Sequence, residues 1–473
     1  MPHVARNGDK GPRGVIETQR RSHTNLSDNR HTATVADPYR CTKKGHKNTT
    51  LKNGCFFFKI DKQPVAMQYA TVATCGCRIL EGSTVHRCCP HLDAKARRLA
   101  EREIRIEAAR DLIAEAERRP GESPAEWTRR TGLPMNKARY DALGDAADEL
   151  ERLNRDVRRA EASQAEYQKP ADTNDPRFSG GNAGLKDAEH SAPEAMLNLR
   201  KEEFRDLGIL PEEVLNDDRL WENDKSNYYA APYYDELTGE TIIAYRGTEI
   251  EGALNDPESK LHKDMVLTNL PQGIGEQTEQ YDATMRLAAA IRKSGDRADS
   301  VVFTGHSKGG GQASAAGIIA NRAFVSFNPA TLSPMTPYRF SEGERTIEHG
   351  GPLGTRYRTH FDYVSGPLDA GGDNVKLRLV DWVQQLLKGD KAGRLARAVG
   401  DTVFEFPPQS ADTHSMRELI DAIEARKANA LAAIDQELAG GRPGSRLPPS
   451  GARSEPPHPP ATDPARLQPA RCL

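Results

Sequence analysis

Val301-Val302-Phe303-Thr304-Gly305-His306-Ser307-Lys308-Gly309-Gly310-Gly311 is the stretch whose reading decides the fold. An apolar, strand-like run enters Gly-x-Ser-x-Gly, and a small-residue helix pattern, Gln312 to Ala320, follows at once. The pentapeptide alone also occurs in ordinary turns. The order strand, tight turn, helix makes it a nucleophile elbow. A serine at the apex of so sharp a turn is strained, and the flanking positions approach neighbouring backbone too closely for a Cβ, which accounts for Gly305 and Gly309. The start of the next helix aims backbone N–H groups at the place where an oxyanion would form. Ser307 is therefore the candidate nucleophile.

Working outward, Glu240 to Tyr245 reads as a buried strand ending in Arg246-Gly247-Thr248, and a polar helical crossover covers Glu276 to Ile291. Ala323 to Phe327 is a further strand, ending in Asn328-Pro329. Strands alternating with helices predict a mostly parallel sheet with covered faces, and reactive groups gather at the carboxyl ends of such strands. A serine hydroxyl needs an imidazole to take its proton and a carboxylate to orient that imidazole, in the chain order Ser, acid, His. Arg358 to Ser365 has a strand pattern carrying Asp362, with Asp369 and Asp373 as alternatives in the Gly-rich loop beyond. His414 lies late, in a loop before a helix that starts near Arg417. His306, His349 and His360 read as packing or hydrogen-bonding residues, Lys308 as an exposed lysine, and Glu251 to Leu261 as a cover over the site.

Tyr245-Arg246-Gly247-Thr248, Gly305-His306-Ser307-Lys308-Gly309-Gly310 and Phe327-Asn328-Pro329 are similar to the motifs of the class 3 lipase group within the α/β-hydrolase fold. That group usually has Leu where this chain has Lys308. The resemblance spans about Tyr245 to His414. It implies a Ser307–His414–Asp362 triad, an oxyanion hole formed by the Thr248 region and the backbone N–H of Lys308, and acyl-ester hydrolysis without a catalytic cofactor.

The 473 residues have a formal net charge of −2, 37% hydrophobic content and a mean hydropathy of −0.71. That leaves no electrostatic ground for nucleic-acid binding and predicts long exposed helices or disordered parts. No apolar run approaches a bilayer span, and the first residues have no secretory h-region, so export by that route is not expected. Of the seven cysteines, Cys41, Cys55, Cys75, Cys77, Cys88 and Cys89 lie in one short N-terminal stretch. In a reducing cytosol such a cluster reads as metal ligation in preference to disulfides.

Residues 1–92 read as a small all-β module. Short alternating runs such as Cys55 to Ile60 are set between Gly and Asn turns, and Asn29 to Asp37 and Asp61 to Ala66 form a weak internal repeat. A module with so little core gains from a bound ion. Gly8-Asp9-Lys10, the Pro-Val-Ala and Cys pattern, Cys41-x4-His46 and Thr74-Cys75-Gly76 resemble the PAAR proteins, the β-cones that tip the spike of type VI secretion systems. The resemblance implies structural zinc on Cys41, His46 and Cys75, with His23, His31 or Cys77 as the fourth ligand. It also implies a trimeric spike protein as docking partner, and an immunity protein and a chaperone or adaptor as further partners.

From residue 93 to 168 the chain reads as a charged helical connector. Leu99, Ile106 and Ile113, and then Leu143, Leu150, Leu153, Val157 and Ala160, trace narrow apolar seams, which predict an antiparallel hairpin around Pro120-Gly121. Residues 169–190 are rich in turn formers and read as a linker. The hydrolase domain is expected over 191–438, and a Pro-rich disordered tail over 439–473. Joined, the two resemblances predict a lipolytic effector toxin made in the bacterial cytoplasm, secreted by a type VI machine without a signal peptide, and acting on phospholipids of a target-cell membrane. A neutral lipase, esterase or thioesterase, and a non-catalytic spike component that binds lipid or a partner, are the competing expectations.

Overall fold

Val301–His306 is a fully buried strand at the centre of a sheet. The computed structural model describes residues 3–18, 26–27, 30–42, 49–83, 93–117, 121–132, 137–167, 195–199, 201–248, 255–360, 399–407 and 414–441. The chain divides into two compact units, Met1–Arg152 with Lys427–Leu473, and Leu153–Arg426.

In the first unit, three segments close a ring of backbone hydrogen bonds. The Ala5 N–H donates to the Ala66 carbonyl (2.8 Å), Ala66 to Ala33 (2.9 Å) and Ala33 to Ala5 (2.9 Å). Three residues after each alanine the backbone takes a positive φ, 81° at Gly8, 71° at Ala36 and 62° at Tyr69. A side chain then folds back onto the amide that follows the alanine. Asp9 accepts from the Arg6 N–H (2.8 Å), Asp37 from Thr34 (2.8 Å) and the Thr71 hydroxyl from Met67 (2.7 Å). The chain returns equivalently each time, through Ile16 to the Asp9 carbonyl, Leu51 to Asp37 and Ile79 to Thr71. The weak repeat of the sequence is thus a threefold one, with a first copy that starts at Val4.

The core under this ring is small: Ala5, Ile16, Ala33, Tyr39, Leu51, Ala66, Ala73, Cys77 and Ile79. Buried charge is paired there, with Asp9 held by Arg6 (3.1 Å) and Arg30 (2.7 Å).

The helices of this unit depart from a two-helix hairpin. Helix α1 (Asp93–Ala116) is followed by the short α2 (Pro124–Thr131) and then by α3 (Lys137–Ala165). Helix α2 is punctuated at both ends. Ser123 and Glu126 form a capping box with Pro124 in the first turn, and Gly132 closes it at φ 63°. Ile106 and Ala109 of α1 and Leu143, Ala147 and Leu150 of α3 pack with Ala430, Ile434 and Leu438, so a third helix shares the predicted seam.

The second unit holds an eight-stranded sheet among the described residues. Its main path consists of β1 (Met196–Asn198), β2 (Tyr228–Asp235), β3 (Thr241–Tyr245), β4 (Val301–His306), β5 (Phe324–Phe327), β6 (Gly354–Thr359) and β7 (Thr402–Phe406). They lie side by side in chain order, and Glu222–Asn223 adds to β2. From β3 to β7 every pairing is parallel, while β1 and β2 are antiparallel additions.

The register aligns Tyr245 with Gly305, His306 with Phe327 and Thr359 with Phe406, which brings the carboxyl ends of the parallel strands to one edge. On one face the second half of α3 (Leu153, Val157, Ala160) packs on Phe327, Tyr357 and Phe404 together with Leu419 and Ile423 of the closing helix, Met416–Gly441. Arg158, on the same half of α3, reaches Asp235 through two hydrogen bonds of 3.0 Å. Burial opposes the charge of this arginine, but Asp235 and Glu161 more than offset that and hold its pKa above the ordinary value. The strand predicted over 358–365 ends at Thr359. Residues 361–398, with Asp362, Asp369 and Asp373, and the linker 169–190 lie outside the described residues.

Candidate active site

Ser307 sits between β4 and the helix Lys308–Ala320 with φ 55° and ψ −126°. For a residue with a Cβ this conformation costs about 1–3 kcal/mol, and it persists only where the surroundings hold it. They do so here: the Ser307 N–H donates to the Phe327 carbonyl (3.1 Å), and the Ser307 carbonyl accepts from Ala330 (2.8 Å) and Gly310 (3.0 Å). Both flanking glycines are sterically required. A Cβ on Gly305 would lie 2.2 Å from the Gly309 carbonyl oxygen, and one on Gly309 would lie 2.1 Å from that of Tyr245. The positive end of the helix that begins at Lys308 faces the serine.

Lys308 differs from its expectation as an exposed cation. Its side chain is buried and ion-paired with Asp264, which is itself fully buried. Asp264 also accepts from Gln280 Nε2 (2.9 Å) and Asn227 Nδ2 (3.0 Å), and Asn227 Oδ1 accepts from Arg246 Nη2 (3.1 Å). A buried charge is retained only when it is paired and hydrogen-bonded, and this network meets that condition. Asp264 was not legible as a site residue because it lies in a polar stretch with no motif around it. Sequence offered one signal, a lysine where a leucine is usual, which demands a buried anion if the lysine keeps the leucine's place.

Thr248 follows β3, and its hydroxyl accepts from Asn269 Nδ2 (3.0 Å). Asn269 closes a π-helical turn, Met265–Asn269, that directly follows Asp264. Such turns are concentrated at functional sites. The helical segment from Lys260 to Gly273 is therefore tied to the elbow through Asp264 and to the candidate oxyanion threonine through Asn269. Of the stretch 251–261 expected to cover the site, 251–254 lie outside the described residues, and Lys260 and Leu261 begin this segment.

His414 is placed beside His306, the residue that precedes Ser307. Its carbonyl accepts from His306 Nε2 (2.8 Å), and the two imidazole centroids are 4.6 Å apart. His349 caps a short helix by accepting from the Thr346 N–H (3.1 Å), and His360 is half exposed beside Glu405 (3.5 Å). Glu166, in the turn that ends α3, is buried among tyrosines. Burial pushes its pKa up to about 8, against the opposing pull of the Tyr233 hydroxyl and of Arg246.

In the first unit, Cys41, Cys75 and Cys77 converge with their sulfur atoms within 4.8 Å of one another, and Cys41 Sγ is 3.9 Å from Cys77 Sγ. Cys41 ends the strand Tyr39–Cys41, and Gly76, at φ 85°, turns the chain so that both neighbouring cysteines face inward. Burial, then the neighbouring Cys75 and Cys41, push the Cys77 thiol well above its usual range. Three unbridged thiols facing one another suit a thiophilic ion such as zinc, which would displace their protons. Cys77, expected only as an alternative fourth ligand, is thus a member of the central set. His31 is not in the group, and Cys55 is disulfide-bonded and takes no part in it. His46 and His23 lie outside the described residues.

Among the described residues no helix is long and apolar enough to cross a membrane. No curated protein matches the chain. Residues 158–404, more than half of the 473, match the Tle-like phospholipase domain. The match starts inside α3 and takes in the elbow, Thr248 and the polar network around Asp264. With its strained serine at the end of a central parallel strand, the chain belongs to the family of Tle-like phospholipase domains.

Proposed function

We propose that this protein is a lipolytic effector in which Ser307, activated by His414, cleaves the acyl esters of membrane phospholipids, with Asp362 orienting the imidazole. The observation that carries this reading is the strained serine at the elbow within a phospholipase-family domain. In the proposed reaction His414 takes the hydroxyl proton, Ser307 attacks the ester carbonyl, and the Lys308 N–H with the Thr248 region receives the oxyanion. His414 then protonates the departing alcohol, and water releases the acyl group. A membrane substrate is further supported by the solvent-exposed apolar side chains Leu267, Leu270 and Ile274, on and just beyond the segment that bears Asp264 and Asn269.

For residues 1–92 we propose a PAAR-like cap that binds zinc through Cys41, Cys75 and Cys77, with His46 as the candidate fourth ligand. Support comes from the threefold backbone ring, whose symmetry suits a trimeric spike as seat, and from the thiol group. Under this proposal the chain leaves the producing cell by a type VI machine, the helices from residue 93 act as connector, and an immunity protein protects the producer. Residues 158–190 then fall to the hydrolase domain together with 191–426, and the stretch 427–438 to the unit of the connector helices.

The test is fatty-acid release from mixed phospholipid vesicles by the full chain and by Ser307→Ala. The expected result is release by the wild type and a loss of about 10³-fold or more in the variant. Release from soluble short-chain esters alone would move the assignment to an esterase, and release by neither protein to a binding module.

A further inference from the structure

Helix α3 is followed directly by Glu166 and Tyr167, and the tyrosine reaches the reaction edge of the sheet. We propose that Tyr167 is a positioning residue for His414, acting through His306; the inference rests on His414 being the base of the proposed reaction. The argument begins with proton bookkeeping on one imidazole. His306 Nε2 lies 2.8 Å from the His414 carbonyl oxygen, which can only accept, so Nε2 carries a proton. In a neutral imidazole the other nitrogen is then an acceptor. The Tyr167 hydroxyl, 2.7 Å from Nδ1, is the group that donates to it, and the two rings meet edge-on at 69° with centroids 5.5 Å apart. The same hydroxyl is 3.4 Å from the His306 carbonyl.

Tyr167 also fills the space over the loop that carries Thr248. A Cβ on Gly247 would stand 1.6 Å from the Tyr167 hydroxyl and 2.7 Å from the His306 carbonyl oxygen, so the glycine of Arg246-Gly247-Thr248 is required by the tyrosine. One side chain therefore touches the candidate oxyanion loop and sets the tautomer of the ring that holds the backbone of the candidate base. Removing the hydroxyl takes away the donor that favours the Nε2–H form. The alternative Nδ1–H form turns a lone pair towards the His414 carbonyl, and the loop bearing the base loses its tether. The effect belongs to the catalytic step and not to substrate binding, because neither Tyr167 nor His306 is placed to touch the substrate in this reading.

The experiment uses the full chain with Tyr167→Phe, His306→Leu and His306→Gln, assayed on phospholipid vesicles and on a soluble short-chain ester, with Ser307→Ala as the inactive reference. Tyr167→Phe is expected to lower kcat about tenfold with KM unchanged within about twofold and the thermal midpoint preserved. His306→Leu should lose more, and His306→Gln, whose amide can still donate to the 414 carbonyl, should recover a substantial part. Histidine-selective ¹⁵N spectra give a readout that needs no activity: His306 should appear as the Nε2–H tautomer in wild type and as a mixture in Tyr167→Phe. An unchanged kcat in Tyr167→Phe, a loss that tracks the melting temperature, or an Nδ1–H ring in wild type overturns the proposal. If Ser307→Ala matches wild type while the tautomer shift is seen, it is the triad reading that has failed.

Discussion

The N-terminal ring and the central sheet hold themselves together by different means. The ring unit has a core of alanines and a few larger side chains, and it relies on backbone closure, on Asp9 with its two arginines, and on three facing thiols. The sheet unit buries Phe303, Phe324, Phe327 and Tyr357 completely, and carries a network of buried charge beside Ser307, around Lys308 and Asp264. A small module lacks the apolar area to offset its chain entropy and needs ties, whereas a large one has enough burial to carry a costly polar network where chemistry is done.

The sharpest way to break this contrast is to remove the thiols. Cys41, Cys75 and Cys77 changed together to serine, or a strong chelator added to the wild type, should abolish the unfolding transition of the ring unit and leave that of the sheet unit in place. Calorimetry of the full chain reads both, and a ring transition indifferent to chelator would show that the thiols are only packing. The converse test attacks the sheet unit at the polar network beside Ser307. Lys308→Met leaves the buried Asp264 without its cation and should cost about 3–5 kcal/mol. Lys308→Met with Asp264→Leu, which removes both charges, should regain much of that, as measured by urea unfolding.

A further test addresses burial that outweighs the groups around it. Burial pushes the Glu166 carboxyl from its ordinary value of 4.5 up to about 8, so the unfolded state loses its proton first as pH rises. Stability should fall between those two values and level off above the higher one. Glu166→Gln should therefore raise the thermal midpoint at pH 8.5 and give no gain at pH 4. The least effect is expected at the surface. Leu267→Ser with Leu270→Ser should reduce vesicle hydrolysis several-fold by removing about 1–3 kcal/mol of apolar contact, and leave short-chain ester hydrolysis unchanged. Equal losses on both substrates would place these leucines in the substrate pocket and not at the lipid surface.

Much of the sheet was readable because each element carried a local signal. The runs at 241–245, 301–306 and 324–327 are buried throughout and mostly apolar, and the elbow glycines state their own steric reason. β2 escaped because Pro232 stands in its interior, where proline normally argues against a strand. Pro232 stands opposite Leu199, just past the last paired residue of β1, and its carbonyl accepts from the Leu199 N–H at 2.8 Å. β6 was placed several residues late because its true span, Gly354–Thr359, alternates arginine with threonine and tyrosine, whereas Phe361 to Val364 looks more strand-like. The site was legible where a motif fixes a backbone and illegible where a tertiary partner decides. Lys308 and Tyr167 acquire their meaning only from Asp264 and His306, 44 and 139 residues away.

The ring of Ala5, Ala33 and Ala66 has a numerical consequence. Three unlike segments of one polypeptide supply what three identical subunits would supply in a symmetric assembly, so a single molecule completes the circle. Each closed circle then brings with it one phospholipase-family domain, where a homotrimer of the same outline would bring three.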